Sequence, residues 1–384
     1  MIYYGKQSIN QKEIDAVVNV LKSDFLTQGP AIEKFEQKVA AYCGVKYAVA
    51  VTNATSALHI ACLAAGLAKD DVLWTTPNTF VASANCARYC GAAVDFVDID
   101  TDTYNMSVDQ LETKLRNTNK KPKIVVPVHF SGQSCNMKRI YELAQEYNFT
   151  VLEDASHCIG GEYKNTKIGS CRYSDMTVFS FHPVKIITTG EGGMVLTNDD
   201  ILYKNLQLFR NHGITRDESF LKGKADGPWY YQQINLGFNY RMTDMQAALG
   251  YSQMDRLDEF IIRRRYLADR YNELLKDLPL TLPYQHPDTN SSWHIYVVRL
   301  DLSKVKLNKK DIFYKMKTKG IILNVHYIPV HTQPYYQQLG FNMGDFPNSE
   351  NYYAEAFTLP LYYSLTDEQQ TNVVDVLKEV LENA

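Results

Sequence analysis

From Tyr47 onward, short continuous apolar runs alternate with helix-length segments, and this alternation constrains the fold more than any other feature of the chain. Tyr47 to Val51, Val72 to Trp74, Val94 to Ile99, Ile124 to Phe130 and Phe149 to Leu152 read as strands. Ser56 to Ala65, stopped by Gly66, and Phe80 to Cys90, stopped by Gly91, read as helices between them. Strands that are apolar along their whole length need cover on both faces. Their alternation with helices implies an α/β layer built on a mainly parallel sheet.

The flanking segments differ. Asn10 and Glu13 have the spacing of a capping box, and Ile14, Val17, Val18 and Leu21 follow at helical spacing. Pro30 opens a second helix that ends near Gly44. Residues 213–238 contain Gly213, Gly223, Gly227 and Pro228 and are expected to form a long surface loop. Thr243 and Gln246 make a second capping box, opening a helix expected to run to about Lys276. Beyond it, only Ile295 to Leu300 and Ile321 to Val325 read as strands, with helices over about 308–319 and 366–382. At 384 residues the chain suits two domains. The expected division is a large domain over 1–250, then a linker helix and a smaller α+β domain over 251–384.

One lysine stands apart. Met176 to Phe181 reads as a strand, and Ser180-Phe181-His182-Pro183-Val184-Lys185 leads from it into the Gly-rich turn Gly190-Glu191-Gly192-Gly193. A second strand-like run, Met194 to Thr197, follows. A lysine on a tight loop between two buried strands is either a solvated loop lysine or a fixed, partly desolvated amine suited to a Schiff base. Spacing alone leaves both readings open.

Other segments match what a pyridoxal phosphate site needs: a carboxylate for the pyridine nitrogen, a helix N-terminus for the phosphate and an aromatic face for the ring. Asp154, after the Phe149 to Leu152 strand, stands where open α/β sheets bind ligands, and His157 can turn back toward the pyridine hydroxyl. A helix N-cap aspartate with a structural histidine would give the same pattern. Thr52-Asn53-Ala54-Thr55-Ser56-Ala57 suits a phosphate or an ordinary N-cap. Phe80 suits either the cofactor face or the core.

Composition removes other functions. The net charge of -3 and the lack of a dense basic stripe weigh against nucleic-acid binding. No apolar run reaches the length of a membrane span, and Met1 to Lys6 does not begin a signal peptide. The seven cysteines are odd in number, scattered and free of Cys-x-x-Cys pairs. Reduced thiols in the cytoplasm are expected, with no metal and no zinc or iron–sulfur ligand set. No Gly-x-Gly-x-x-Gly follows the first strand, which leaves little room for a nicotinamide-dependent oxidoreductase.

The ordered set Leu26-Thr27-Gln28-Gly29, Asn53 to Leu58, Glu153-Asp154-x-x-His157, Ser180-Phe181-x-x-x-Lys185, Gly190 to Gly193 and Asn239-Tyr240-Arg241-Met242-Thr243-Asp244 spans nearly the whole chain. It resembles the fold-type-I, pyridoxal-phosphate-dependent sugar aminotransferases of the DegT/DnrJ/EryC1/StrS group. The resemblance implies that Lys185 is the Schiff-base lysine and that Asp154 holds the pyridine nitrogen. It further implies that His157, where many members carry Gln, contacts the pyridine hydroxyl. Thr55, Ser56 and Ser180 would bind the phosphate, Phe80 would pack on the ring, and Asn239 would reach the phosphate from the second subunit of a homodimer.

Phe181-His182-Pro183-Val184-Lys185 and Asn324-Val325-His326-Tyr327-Ile328-Pro329-Val330 are most similar to the pseudaminic-acid branch of that family. That branch moves the amino group of L-glutamate to a UDP-linked 2-acetamido-2,6-dideoxy-4-ulose of L-arabino configuration, releasing 2-oxoglutarate. By the same similarity, Tyr4, Asp24, Phe25, Leu26, Thr27, Ala54, Ser180, Asn239, Asn324, Val325, His326 and Tyr327 would line the nucleotide-sugar pocket. A D-xylo or other nucleotide-linked keto sugar is the alternative substrate. Relatives that act as dehydratases carry His at the lysine position, and a non-catalytic regulator would not need Lys185, Asp154 and Thr55-Ser56 together.

Overall fold

The structure is a computed structural model that describes residues 1–382; the last two residues of the expected small domain lie outside the described residues. A seven-stranded sheet runs in the order Tyr47–Val51, Gly193–Thr197, Met176–Ser180, Thr150–Asp154, Ile124–Val125, Val72–Thr75, Ala93–Phe96. The five strands from Met176–Ser180 to Ala93–Phe96 pair in parallel. Gly193–Thr197 is antiparallel to both its neighbours, Met176–Ser180 and Tyr47–Val51. Every residue of Met176–Ser180 and Gly193–Thr197 is buried, as their unbroken apolar character requires. Two apolar clusters cover the sheet, one containing Phe35, Phe181 and Phe260, the other Leu58, Ile60 and Phe96. This is the α/β layer on a mainly parallel sheet that the alternation of strands and helices implies.

A smaller antiparallel sheet, Leu280–Thr281, Tyr296–Leu300 and Ala356–Leu359, packs with the helices Leu257–Leu275, Lys309–Thr318 and Asp367–Glu382 around a third cluster. Its strand Ala356–Leu359 has no clear signal in the sequence, because it follows the helix Pro347–Glu355 without a turn residue between them. Ile321 to Val325, expected as a strand, makes only the isolated bridges Ile2–Ile321 and Asn324–Thr358.

Other boundaries also differ from expectation. The helix expected from Thr243 to about Lys276 is two helices, Asp244–Met254 and Leu257–Leu275. At the break, Asp255 and Arg256 donate to the carbonyls of Ser252 and Gln253, the tight pattern of a final turn. This bend lets Arg256 reach the buried carboxylate of Glu13 at 3.2 Å. Ile124 to Phe130 is a strand only over Ile124–Val125; Pro127 has no N–H for a ladder, and Phe130–Gly132 winds into a single tight turn. The segment 213–238 is largely exposed, as expected, but contains a two-residue ladder, Ile214–Thr215 with Gln232–Gln233. Both capping boxes form, on Asn10 with Glu13 and on Thr243 with Gln246.

Candidate active site

Asp154 is the last residue of its parallel strand, so its side chain emerges at the carboxyl edge of the sheet. A cavity of about 1150 Å³ opens there. Asp154 is 5 % exposed, and such a carboxylate needs partners. Ser83 Oγ donates to Oδ2 at 2.6 Å, and Ser156 donates to Oδ1 from Oγ at 2.6 Å and from its backbone N–H at 3.1 Å. Ser83 in turn lies 2.8 Å from Thr79 Oγ1. Ser83 was not anticipated, since nothing local in a small-residue helix marks one serine as the partner of a distant aspartate.

Lys185 faces the same cavity from the loop that joins Met176–Ser180 to Gly193–Thr197. The loop is held at both ends. Phe181 donates to the Gly192 carbonyl at 2.9 Å, and the Thr189 N–H and Thr188 hydroxyl both donate to the Phe181 carbonyl at 3.0 Å. Behind it, Thr188 N–H donates to Gln253 Oε1 at 3.3 Å, and Gln253 Nε2 donates to Glu13 at 2.9 Å. The Lys185 amine itself makes no hydrogen bond within the described residues. Burial lowers its pKa from 10.5 to about 8, against the opposing pull of Asp154. This is a held, desolvated amine and not a solvated loop lysine.

The helix Ala54–Ala64 starts on the cavity wall. Its capping box uses Asn53 with Ser56, whose hydroxyl turns back to the Asn53 carbonyl at 2.8 Å. The Ala54 and Thr55 amides and the hydroxyls of Thr55 and Ser180 find no partner within the described residues, so they remain as donors at the positive end of the helix. Gly193 makes the approach possible: a Cβ there would meet Asn53 backbone atoms at 2.5 Å. Phe80 is 58 % exposed on the cavity wall, which removes the core reading.

His157 also lines this cavity, 5 % exposed. Its Nδ1 accepts from the Ser131 N–H at 3.3 Å, and its Nε2 lies 2.9 Å from the Tyr327 hydroxyl. Burial, then the charge of Lys185, hold its pKa well below the usual histidine value. Tyr4, Ala54, Asn324, Val325 and His326 line the cavity with Tyr327. His182, Glu191, Tyr240 and His294 also line it without having been expected.

Five expected residues are elsewhere. Asp24, Phe25, Leu26, Thr27 and Asn239 are exposed and do not line this cavity. The first four belong to a segment held by buried Asp244, which accepts from the Gly29 and Ala31 N–H groups at 2.8 and 2.9 Å. Asn239 bridges Asn211, which with Arg241 lines a second cavity of about 720 Å³.

A fixed amine, a buried carboxylate and unpaired donors at a helix N-terminus fit pyridoxal 5'-phosphate, and the chain uses that cofactor. The profile of the DegT/DnrJ/EryC1/StrS aminotransferase family matches residues 7–378. The spore coat polysaccharide biosynthesis protein SpsC of Bacillus subtilis is 38 % identical, covering 99 % of this chain and 97 % of that protein. The UDP-4-amino-4,6-dideoxy-N-acetyl-beta-L-altrosamine transaminase of Campylobacter jejuni is 35 % identical, covering 100 % and 98 %. Helicobacter pylori PseC, an aminotransferase involved in the biosynthesis of pseudoaminic acid, superposes with a TM-score of 0.91 at 31 % identity over the whole of both chains. With its fold, its lysine loop and its full length all matched, the chain belongs to the DegT/DnrJ/EryC1/StrS family and is a pyridoxal-phosphate-dependent sugar aminotransferase.

Proposed function

We propose that the enzyme moves the amino group of L-glutamate to C4 of a UDP-linked 2-acetamido-2,6-dideoxy-4-keto sugar of L-arabino configuration, in pseudaminic-acid synthesis in the cytoplasm. The observation that carries the chemistry is the meeting of Lys185, Asp154 and the open helix terminus at Ala54–Thr55 in one cavity. The activities of the Campylobacter and Helicobacter relatives support the substrate.

The cofactor supplies an electron sink for carbon–nitrogen bond chemistry. Lys185 anchors it, and when released its Nζ takes the proton from the α-carbon of glutamate and returns a proton during amination of the sugar. Its lowered pKa leaves a useful neutral fraction for this near pH 8. Asp154 would pair with the ring nitrogen and favour a proton there. The Ala54 and Thr55 amides, with the Thr55 and Ser180 hydroxyls, hold the phosphate. Phe80 packs on the ring, and Tyr4 with Asn324 to Tyr327 borders the sugar.

Asp24 to Thr27 and Asn239 act on the site of a second copy, which makes the working unit a homodimer with shared sites. Their exposure away from their own cavity supports that reading.

A second reading keeps the chemistry and changes the sugar. The Bacillus polysaccharide protein is 38 % identical, above the 35 % of the altrosamine transaminase, and this favours a different nucleotide-linked keto sugar. Product analysis with glutamate and the L-arabino and D-xylo UDP-4-keto sugars in parallel decides. Amination of the L-arabino epimer alone is expected. Preference for the D-xylo epimer, or product from neither while glutamate still converts the cofactor, overturns the substrate assignment.

A further inference from the structure

The hydrogen bonds of His157 define its tautomer. Nδ1 accepts the Ser131 N–H at 3.3 Å and so carries no proton. The ring is held neutral by burial and by Lys185, so its single proton sits on Nε2. Nε2 lies 2.9 Å from Tyr327 Oη, and the N–H therefore donates to the tyrosine oxygen. Both nitrogens of His157 are occupied. Both residues line the cavity, but the Tyr327 hydroxyl hydrogen, by contrast, has no acceptor among the described residues. Burial raises the Tyr327 pKa, so the hydroxyl stays protonated and remains a donor.

The shape of the cofactor says where this donor points. Its ring nitrogen stands opposite the carbon that carries the aldehyde. The phosphate arm flanks the aldehyde on one side and the phenolic oxygen flanks it on the other. With Asp154 at the nitrogen, Lys185 at the aldehyde and the helix terminus at the phosphate, the phenolic oxygen turns to the remaining edge. Tyr327 lines the cavity with Asp154, Lys185 and Phe80, and its ring centroid lies 6.3 Å from that of Phe80.

We propose that Tyr327, and not His157, donates the hydrogen bond to the phenolic oxygen of pyridoxal phosphate, and that His157 is a positioning residue that orients and polarises the Tyr327 hydroxyl. The inference rests on the roles proposed for Asp154 and Lys185. A donor at that oxygen stabilises its ionised form, so it lowers the pH at which the visible absorption of the lysine-bound cofactor changes. The other titratable groups facing the pair are His294, with its ring 4.4 Å from that of His157, His326 at 6.5 Å from His157, Tyr4, Tyr352, Asp154 and Lys185.

The test is a spectrophotometric pH titration of the holoenzyme. In Tyr327→Phe the transition should move up by about one pH unit, the worth of a charge-assisted hydrogen bond. His157→Asn should give a smaller upward shift that disappears in the Tyr327→Phe background. An unmoved transition in Tyr327→Phe, or a His157→Asn shift that persists in the double variant, overturns the proposal.

Affinity of the apoenzyme for pyridoxal phosphate and for its 3-deoxy analogue provides a second readout, even for a variant that holds cofactor poorly. The wild type should prefer the natural cofactor about tenfold, and Tyr327→Phe should bind both alike. Equal preference in both proteins overturns the proposal. The underlying site reading fails separately, if Lys185→Ala keeps the visible band of the lysine-bound cofactor.

Discussion

At the scale of single residues, the site depends on holding one desolvated amine and one hydrogen-bonded carboxylate within one cavity. Lys185 is held near a pKa of 8 by burial, while Asp154 retains three hydrogen-bond donors. Condensation with an aldehyde needs the neutral amine. In apoenzyme mixed with pyridoxal phosphate, the rate of cofactor attachment should rise with pH and reach half its maximum near pH 8. A rate still climbing past pH 10, as for a solvated lysine, would contradict the desolvated setting. Stopped-flow absorbance reads this directly, and Lys185→Ala should show no attachment at any pH.

Lys185, Asp154 and His157 were legible in the sequence because each sits in a short motif at the end of a strand. Their partners were not. Ser83 meets Asp154 across a sequence separation of 71, and Tyr327 meets His157 across 170. Such pairings arise from the tertiary fold and leave no local pattern.

At the scale of elements, the cavity floor depends on how closely one strand approaches one helix. Gly193 opens the strand Gly193–Thr197, and its missing side chain lets the backbone at Asn53 and Ala54 come against it. The Cβ of an alanine would meet backbone atoms at 2.5 and 2.6 Å, which no rotamer change relieves. Gly193→Ala should therefore displace the helix terminus proposed to hold the phosphate. The expected cost is about 1–3 kcal/mol of stability and a loss of cofactor affinity of at least about tenfold. Thermal melting of the apoenzyme and equilibrium cofactor titration measure the two separately. Unchanged cofactor affinity would show that the phosphate is held elsewhere.

The strands and capping boxes that build this floor were readable because apolar runs and cap residues act locally. The break between Met254 and Leu257 was not, because the buried carboxylate that Arg256 meets there, Glu13, is distant in sequence.

At the scale of the whole molecule, the cavity lies between the large sheet and the smaller one, and three buried histidines meet there. His157 follows the large sheet's Asp154, whereas His294 and His326 flank elements of the smaller sheet. Burial holds all three below their ordinary pKa, His326 at about 3. Between those values and about 6.5, the unfolded chain binds more protons than the native one, so stability rises with pH across that window and is lost as pH falls through it. The apoenzyme melting temperature should drop steadily from pH 7 to pH 5, less so in His294→Gln. A flat profile would place water or a counter-charge around these rings.

The same scale decides what the exposed residues do. Asp24 to Thr27 and Asn239 stand away from the cavity of their own chain, with apolar Phe25 and Leu26 exposed at 54 % and 45 %. If they complete the site of a second copy, then two inactive proteins should rescue each other. Lys185→Ala lacks the reacting amine but keeps Asn239; Asn239→Ala lacks the contact but keeps Lys185. Unfolded together and refolded as a mixture, they form hybrids in which one site joins an intact Lys185 to an intact Asn239. With equal amounts and random pairing, about half the dimers are hybrids with one complete site each, so about a quarter of wild-type activity should return. Each protein refolded alone should remain at its own low level. Activity in the mixture equal to the mean of the separate proteins would mean that Asn239 serves only its own chain and that each subunit works independently.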